Sequence, residues 1–156
     1  MTTSTNGQIC YGIALDEDTE FPWDSDEYEG DIDDWWVSGV LGYQPPFKMY
    51  NSAGNFINGV EPPKEKVKAY YQDRRDFKAR NPKLPIELVN CCSGDYPMWI
   101  LAVPSSCRSA GRGYPEAFHP SELSVSDDEV AALEEFCDNY DIERDAPNWW
   151  LSSYWG

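Results

Sequence analysis

The apolar residues of this chain fall into short runs, bounded by glycine, proline and polar turn residues. Runs of this length are typical of β-strands, and longer runs with a period near 3.6 are typical of helices. The short runs predict strands over residues 9–15, 35–43, 86–89, 98–103 and 149–155, and a hairpin over residues 47–60.

Two segments show the apolar spacing and the end signals of helices. The first follows Pro62 and Pro63, which suit a first helical turn because that turn needs no amide donors, and it ends at Asn81. The second begins at Ser126, where Glu129 completes a capping box. The chain is therefore predicted to be a single acidic α+β domain over residues 1–156. We expect an antiparallel or mixed sheet of about five to six strands with two helices. The predicted buried stripe of the second helix is Val130, Leu133, Phe136, Cys137 and Tyr140.

The composition indicates a folded protein of a reducing compartment. The 156 residues suffice for one domain with its own core, and 15% of them are aromatic, whereas disordered acidic chains lack aromatic residues. The first residues are polar, and no apolar run approaches the roughly 20 residues of a membrane span. Five cysteines at irregular spacing are typical of free thiols. These features predict a soluble, cytoplasmic protein.

The formal net charge of −16 disfavours binding to nucleic acid or to anionic membranes and favours basic protein partners. The charge is unevenly distributed. Residues 1–47 hold eleven acids and no base, residues 64–83 hold eight of the 12 bases, and from residue 116 onward eleven acids face only Arg144. The basic segment either neutralises the chain's own acids or forms a second binding face. The acidic surplus itself has a competing explanation, since high net charge also keeps a protein soluble.

Motifs for catalysis or metal binding are missing from the sequence. His119 is the only histidine, and neither a P-loop nor a G-x-S-x-G motif is present. Adjacent Cys91 and Cys92 do not have the spacing of zinc ligands. We therefore expect no catalytic residue, no metal and no cofactor. A small-ligand site is the alternative, in which the loops at residues 91–95 and 105–112 would line one pocket. Its candidate residues are Arg108, Arg112, Cys91 and Asp95.

Rows of carboxylates suggest imitation of DNA. Phosphates follow one another at about 7 Å along a DNA strand. Carboxylates at every second residue of an extended chain repeat at about 6.6 Å, and those three or four apart on a helix lie about 5–6 Å apart. A plain solvated surface is the competing explanation. The residues predicted to bind a partner are Asp24, Asp26, Glu29, Asp31, Asp33, Asp34, Asp127, Glu134, Glu135 and Asp138, and Trp23, Tyr28, Trp35 and Trp36 are either apolar anchors beside them or core residues.

A resemblance to known proteins rests on the segments FPWD (residues 21–24), SGDYPM (93–98), ILAVP (100–104) and SSYWG (152–156). These segments resemble small, uncharacterised proteins of tailed bacteriophages. In size and charge the chain is also similar to phage DNA mimics and anti-defence inhibitors. The resemblance implies a non-catalytic protein that inhibits a host nucleic-acid-binding or defence protein through its acidic surface. The alternative is a nucleotide or phosphate binder, or a small enzyme, that uses residues 91–95 and 105–112.

Overall fold

The computed structural model describes residues 5–15, 18–28, 30–50, 54–93, 95 and 97–155. Its contacts divide the chain into two compact units. Unit 1 comprises Met1–Pro22 and Pro85–Gly156, and unit 2 is Trp23–Leu84. The predicted α+β class is confirmed by a five-stranded mixed sheet accompanied by helices. The assignment of residues 1–156 to a single domain stays a prediction.

Unit 1 contains the sheet. Its strand order is β3-β2-β5-β1-β4, with an additional pairing between β3 and β1. The β2–β5 pairing is parallel and the other pairings are antiparallel. The strands are β1 (Thr5–Leu15), β2 (Glu87–Ser93), β3 (Pro97–Ala102), β4 (Arg108–Gly111) and β5 (Asn148–Trp155).

The longest strand, β1, organises this sheet because it pairs with three others. Its first eight residues pair with β5, residues 6–9 also pair with β4, and residues 12–15 pair with β3. Since β3 also pairs with β2, and β2 with β5, the pairings form a closed cycle. Cys10 of β1, Val89 of β2 and Ile100 of β3 meet in one buried cluster. The strands therefore share a common core.

The helix α3 (Asp127–Asn139) completes unit 1 and begins as the sequence predicts. The Ser126 hydroxyl accepts a hydrogen bond from the Glu129 amide, and the Glu129 carboxylate accepts one from the Ser126 amide. Both halves of the capping box are thus present. Leu133, Phe136 and Cys137 are fully buried, as expected for the predicted stripe, while Val130 and Tyr140 are half-buried.

Unit 2 is mainly helical. The three-residue helix α1 (Ile32–Asp34) continues directly into a π-helix over Trp35–Val40. The long helix α2 (Lys64–Arg80) starts after Pro63 and ends before Asn81, as the sequence predicts. Tyr43 follows the π-helix and donates a hydrogen bond of 3.0 Å to Asp73 of α2. Burial and this bond to a carboxylate raise the pKa of Tyr43 to about 12.

The predicted strand over residues 35–43 is wrong, because most of this segment is helical. Asp31 caps the helix at its start, and the Trp35 ring packs against the Trp23 ring with centroids 5.2 Å apart. Gly39 leaves room for the Tyr28 side chain, since a Cβ there would lie 2.7 Å from the Tyr28 hydroxyl. An apolar run flanked by glycines does not reveal these contacts, which favour the helix over an extended chain.

Two further segments show what local patterns predict. In the described residues of the expected hairpin over residues 47–60, Tyr50 and Phe56 form an antiparallel bridge, followed by a 3-10 turn at Ile57–Gly59. Residues 51–53 of the expected turn lie outside the described residues. The sequence pattern predicts no strand between residues 104 and 120, yet β4 lies there. This four-residue strand exists because its backbone pairs with β1, and its polar sequence carries no strand pattern of its own.

Candidate functional site

The first acidic block is partly used inside unit 2. The Asp31 carboxylate accepts a hydrogen bond of 2.9 Å from the Asp34 amide and so caps α1. Asp34 pairs with Arg74 of α2 at 2.6 Å, and Asp33 pairs with Lys78 at 2.6 Å and with Arg74 at 3.2 Å. Three of the predicted partner-binding residues therefore have structural contacts within their own unit.

The predicted row of carboxylates at alternate residues is wrong in its geometry. Residues 22–28 form turns, and the chain is helical from Ile32 onward, so the segment is not extended. Asp24 and Asp26 are exposed in these turns. Glu29 lies outside the described residues. The spacing of about 6.6 Å that an extended strand would provide is therefore not formed in the described residues 24–28 and 30–33.

The aromatic residues of this segment belong to the core of unit 2. Trp23 is 1% exposed and Trp35 is 6% exposed, so neither is accessible to a partner. Tyr28 and Trp36 are half-buried, and the Trp36 indole donates a hydrogen bond of 3.1 Å to the Pro82 carbonyl. For Trp23 and Trp35 the competing explanation, a core role, is confirmed.

The acids of α3 are arranged differently, because they lie on an exposed helical face. Glu134 and Asp138 are one turn apart, and so are Glu135 and Asp138. Neighbours at this spacing lie about 5–6 Å apart, close to the phosphate repeat of DNA. Arg144, the one base after residue 116, pairs with Asp138 at 2.7 Å. Asp127, Glu134, Glu135 and Asp138 are all exposed, which makes α3 the better formed of the two predicted rows.

The division into units shows where the net charge resides. Unit 1 holds 17 of the 28 acids and three of the 12 bases, whereas unit 2 holds 11 acids and nine bases. The formal charge is therefore −14 for unit 1 and −2 for unit 2. Nearly all of the unbalanced negative charge belongs to the unit that contains the sheet and α3.

An acidic depression, which the sequence analysis did not single out, adds to this surface. It has a volume of about 510 Å³ and lies between the end of β1 and the segment after α3. Arg144 is the one base in its lining. The only signal for it in the sequence was the count of acids after residue 116, because the acids from residues 18–20 join the depression through the fold. Its acidic residues are Asp18, Glu20, Asp141, Glu143 and Asp145.

The alternative ligand site is only partly assembled. A pocket of about 210 Å³ is lined by Arg108 and Ser109 of β4, but Cys91 and Asp95 are not part of its lining. The Cys91 thiol donates a hydrogen bond of 3.2 Å to the Met98 carbonyl. Asp95 is exposed between β2 and β3, and Arg112 is exposed directly after β4. This pocket therefore contains Arg108 but does not bring the two loops together.

The sequence did not predict the residues that β1 and β2 contribute to this pocket. Gln8 and Cys10 of β1 line it together with Glu87 of β2 and Cys107, which precedes β4. The Arg108 guanidinium is partly used for structure, since one of its nitrogens donates to the carbonyls of Ser105 and Cys107. No sequence motif marks these residues, because only the strand pairing places them around one space.

In the described residues, no group of three or more His, Cys, Asp and Glu side chains is placed to hold a metal ion. None of the helices in this part of the chain combines the length and the apolar composition needed to cross a membrane. His119 is exposed, and its ring accepts a hydrogen bond from the Ser121 amide at the start of a 3-10 turn. All five cysteines are free thiols.

No family model matches the chain, and neither curated proteins nor solved structures give a match.

Proposed function

We propose that this chain is a non-catalytic, phage-type interaction protein. It blocks a host nucleic-acid-binding or defence protein by presenting an acidic surface in place of DNA. The partner is a basic protein, and binding uses neither a cofactor nor direct contact with nucleic acid. The acidic face of α3 and the depression beside Arg144 form the binding surface. Asp24 and Asp26 of unit 2 are exposed and remain secondary candidates, because Asp33 and Asp34 of the same predicted row are paired within unit 2.

The observation that carries this proposal is the separation of charge between the units. A charge needed only for solubility could be spread over the whole chain. Here unit 2 is almost neutral, since nine bases, seven of them in α2, nearly balance its 11 acids, and unit 1 carries −14. A concentrated field of one sign attracts an oppositely charged partner and speeds its association. The helical repeat of carboxylates on α3 adds a spacing close to that of phosphates.

The proposal is tested by competition with DNA. The full chain is immobilised, a bacterial lysate is passed over it at low salt, and bound proteins are eluted with duplex DNA or with rising salt. We expect a nucleic-acid-binding protein to be retained and to be released by both treatments, because both weaken a contact based on charge. Capture that duplex DNA does not reverse would contradict DNA mimicry.

Matched variants locate the surface. The double variant Glu134→Gln/Glu135→Gln removes two exposed acids from α3, and Glu61→Gln/Glu65→Gln removes two exposed acids from unit 2. Both variants change the net charge equally. We expect the α3 variant to bind the captured protein more slowly and the control to bind as the wild type does, since exposed charges act mainly on the association rate. Equal binding by both would show that α3 is not the surface.

The small-ligand function is a second candidate, favoured by the position of Arg108 and Ser109 in the pocket of about 210 Å³. Typical ligand pockets have about 300–1,000 Å³, so this pocket suits a phosphate-sized anion better than a nucleotide. Glu87 in the same wall opposes an anion. Calorimetric titration with inorganic phosphate, on the wild type and on Arg108→Gln, tests this candidate. Binding that the variant loses would support it, and heat changes equal to dilution would eliminate it.

A further inference from the structure

Cys10 and Cys107 face each other at the seam between β1 and β4. The last residue pair of these antiparallel strands is Ile9 with Arg108, and the next position along each chain toward the core is Cys10 and Cys107. Both side chains belong to one packed cluster and line one pocket. Continuation of the strand register therefore brings the two cysteines beside each other, and such closeness is what a disulfide requires.

The two cysteines also pack in one cluster. Cys107 lies against the buried residues that include Cys10, and its thiol donates a hydrogen bond of 3.6 Å to the Val103 carbonyl. The nearby Cys107 side chain lowers the pKa of Cys10, against the opposing effects of burial and of the Glu87 charge. The interaction with Cys10, together with burial and the Glu87 charge, raises the pKa of Cys107. Of the pair, Cys10 is the thiol that ionises more readily and Cys107 the one that keeps its proton.

A small reagent can reach this pair through the pocket of about 210 Å³, which both cysteines line. One water molecule occupies about 30 Å³ in the liquid, so the space admits a molecule with two oxygen atoms. Cys10 is otherwise only 1% exposed, which protects it from large reagents. The three remaining thiols differ. Cys91 bonds the Met98 carbonyl and Cys92 is half-buried, both outside the pocket lining, and Cys137 is buried in α3.

We propose that Cys10 and Cys107 form an oxidation site for small peroxides, distinct from the acidic binding surface. The Cys10 thiolate attacks one peroxide oxygen, the O–O bond breaks, and Cys10 becomes a sulfenic acid. The departing hydroxide takes up the proton that Cys10 released and forms water. The Cys107 sulfur then attacks the Cys10 sulfur, the S–O bond breaks, and the hydroxyl leaves with the Cys107 proton as a second water. Two thiols are oxidised to a disulfide and one peroxide is reduced to two waters.

The test uses the full chain, freshly purified and fully reduced. It is treated with hydrogen peroxide, denatured, and assayed for free thiols and for cross-linked peptides by mass spectrometry. We expect the free thiols to fall from five to three, with a single cross-link between Cys10 and Cys107 that dithiothreitol reverses. Peroxide treatment that leaves all five thiols free, or a cross-link that involves Cys91, would overturn the proposal.

Three variants test which cysteine reacts with peroxide and which one then forms the disulfide. Cys107→Ser changes a half-buried residue, and with dimedone present we expect it to retain a trapped sulfenic acid on Cys10 and to form no disulfide. Cys10→Ser should form neither product. Cys137→Ser is the control for removing a cysteine and should keep the Cys10–Cys107 cross-link. If Cys10→Ser does not fold, the Cys107→Ser experiment decides, and the absence of a dimedone adduct on its Cys10 would overturn the assignment.

Discussion

Arg74 of α2 and Asp34 of α1 are joined by a hydrogen-bonded ion pair of 2.6 Å, although 40 residues separate them in the chain. Arg74 also contacts Asp33 at 3.2 Å, and Lys78 approaches Asp33 from the next turn of α2. The basic segment thus neutralises acids of its own unit, which was one of the two roles that the sequence allowed. This pairing is why the acidic block of unit 2 contributes less free charge than the count of its acids suggests.

Loss of this ion-pair network should destabilise unit 2. Arg74→Ala removes both contacts of Arg74 and leaves two adjacent carboxylates without it. We expect the free energy of unfolding to fall by about 1 kcal/mol, the upper range for half-exposed pairs. Arg75→Ala is the control, because Arg75 is exposed and donates to Gln72. It should change stability by less than about 0.5 kcal/mol. Urea unfolding measures both variants, and equal losses would refute the role of the pair.

The same network should depend on pH in a defined direction. Burial alone would raise the pKa of Asp33, but the hydrogen bonds and charges of Lys78 and Arg74 outweigh it and lower the pKa. A carboxyl with a lowered pKa stabilises the fold above its unfolded pKa, about 3.9 for aspartate, and loses this contribution as the pH falls through the folded value. The stability difference between wild type and Arg74→Ala should therefore be full near about pH 6 and shrink below about pH 4. A difference that grows in acid would contradict this account, as urea titrations at several pH values would show.

The closeness of β1 and β3 makes Gly12 irreplaceable. A Cβ at Gly12 would lie 2.1 Å from the Leu101 carbonyl oxygen and 2.7 Å from the Ala102 Cα, both of them backbone atoms. Gly12→Ala should therefore cost more than about 3 kcal/mol or prevent folding, because neither strand can move without breaking pairs. Gly7→Ala, on the same strand, is the control, since nothing lies within 4 Å of its added Cβ. Thermal denaturation of the two variants should separate them clearly, and similar melting temperatures would show that β1 and β3 can move apart.

The start of α3 offers a local test. The Ser126 hydroxyl satisfies the Glu129 amide, so Ser126→Ala should lower the free energy of unfolding by about 1 kcal/mol. Ser124 precedes the cap outside the helix, and Ser124→Ala serves as the control with little expected effect. Chemical denaturation followed by circular dichroism provides the measurement. A loss of stability in both variants alike would mean that the capping box is not its cause.

The helix boundaries illustrate how local chemistry makes a structure readable from sequence. Pro63 and Pro82 bracket α2, and Ser126 with Glu129 starts α3, because these side chains act on backbone groups only a few residues away. The core strands are similarly visible, since a buried strand needs a run of apolar side chains whatever its partner is. The total charge of −16 is likewise a property of the sequence alone.

Contacts between residues far apart in the chain decided the features that the sequence did not predict. The Trp23–Trp35 packing turned an expected strand into a helix, and pairing with β1 made a strand of polar β4. The sequence shows 28 acids, but only the fold shows that Asp33 and Asp34 are paired while the acids of α3 are exposed. It also took the register of β1 and β4 to bring Cys10 beside Cys107. Each of these outcomes depends on which distant segment lies opposite a residue, and no local pattern of side chains encodes that partner.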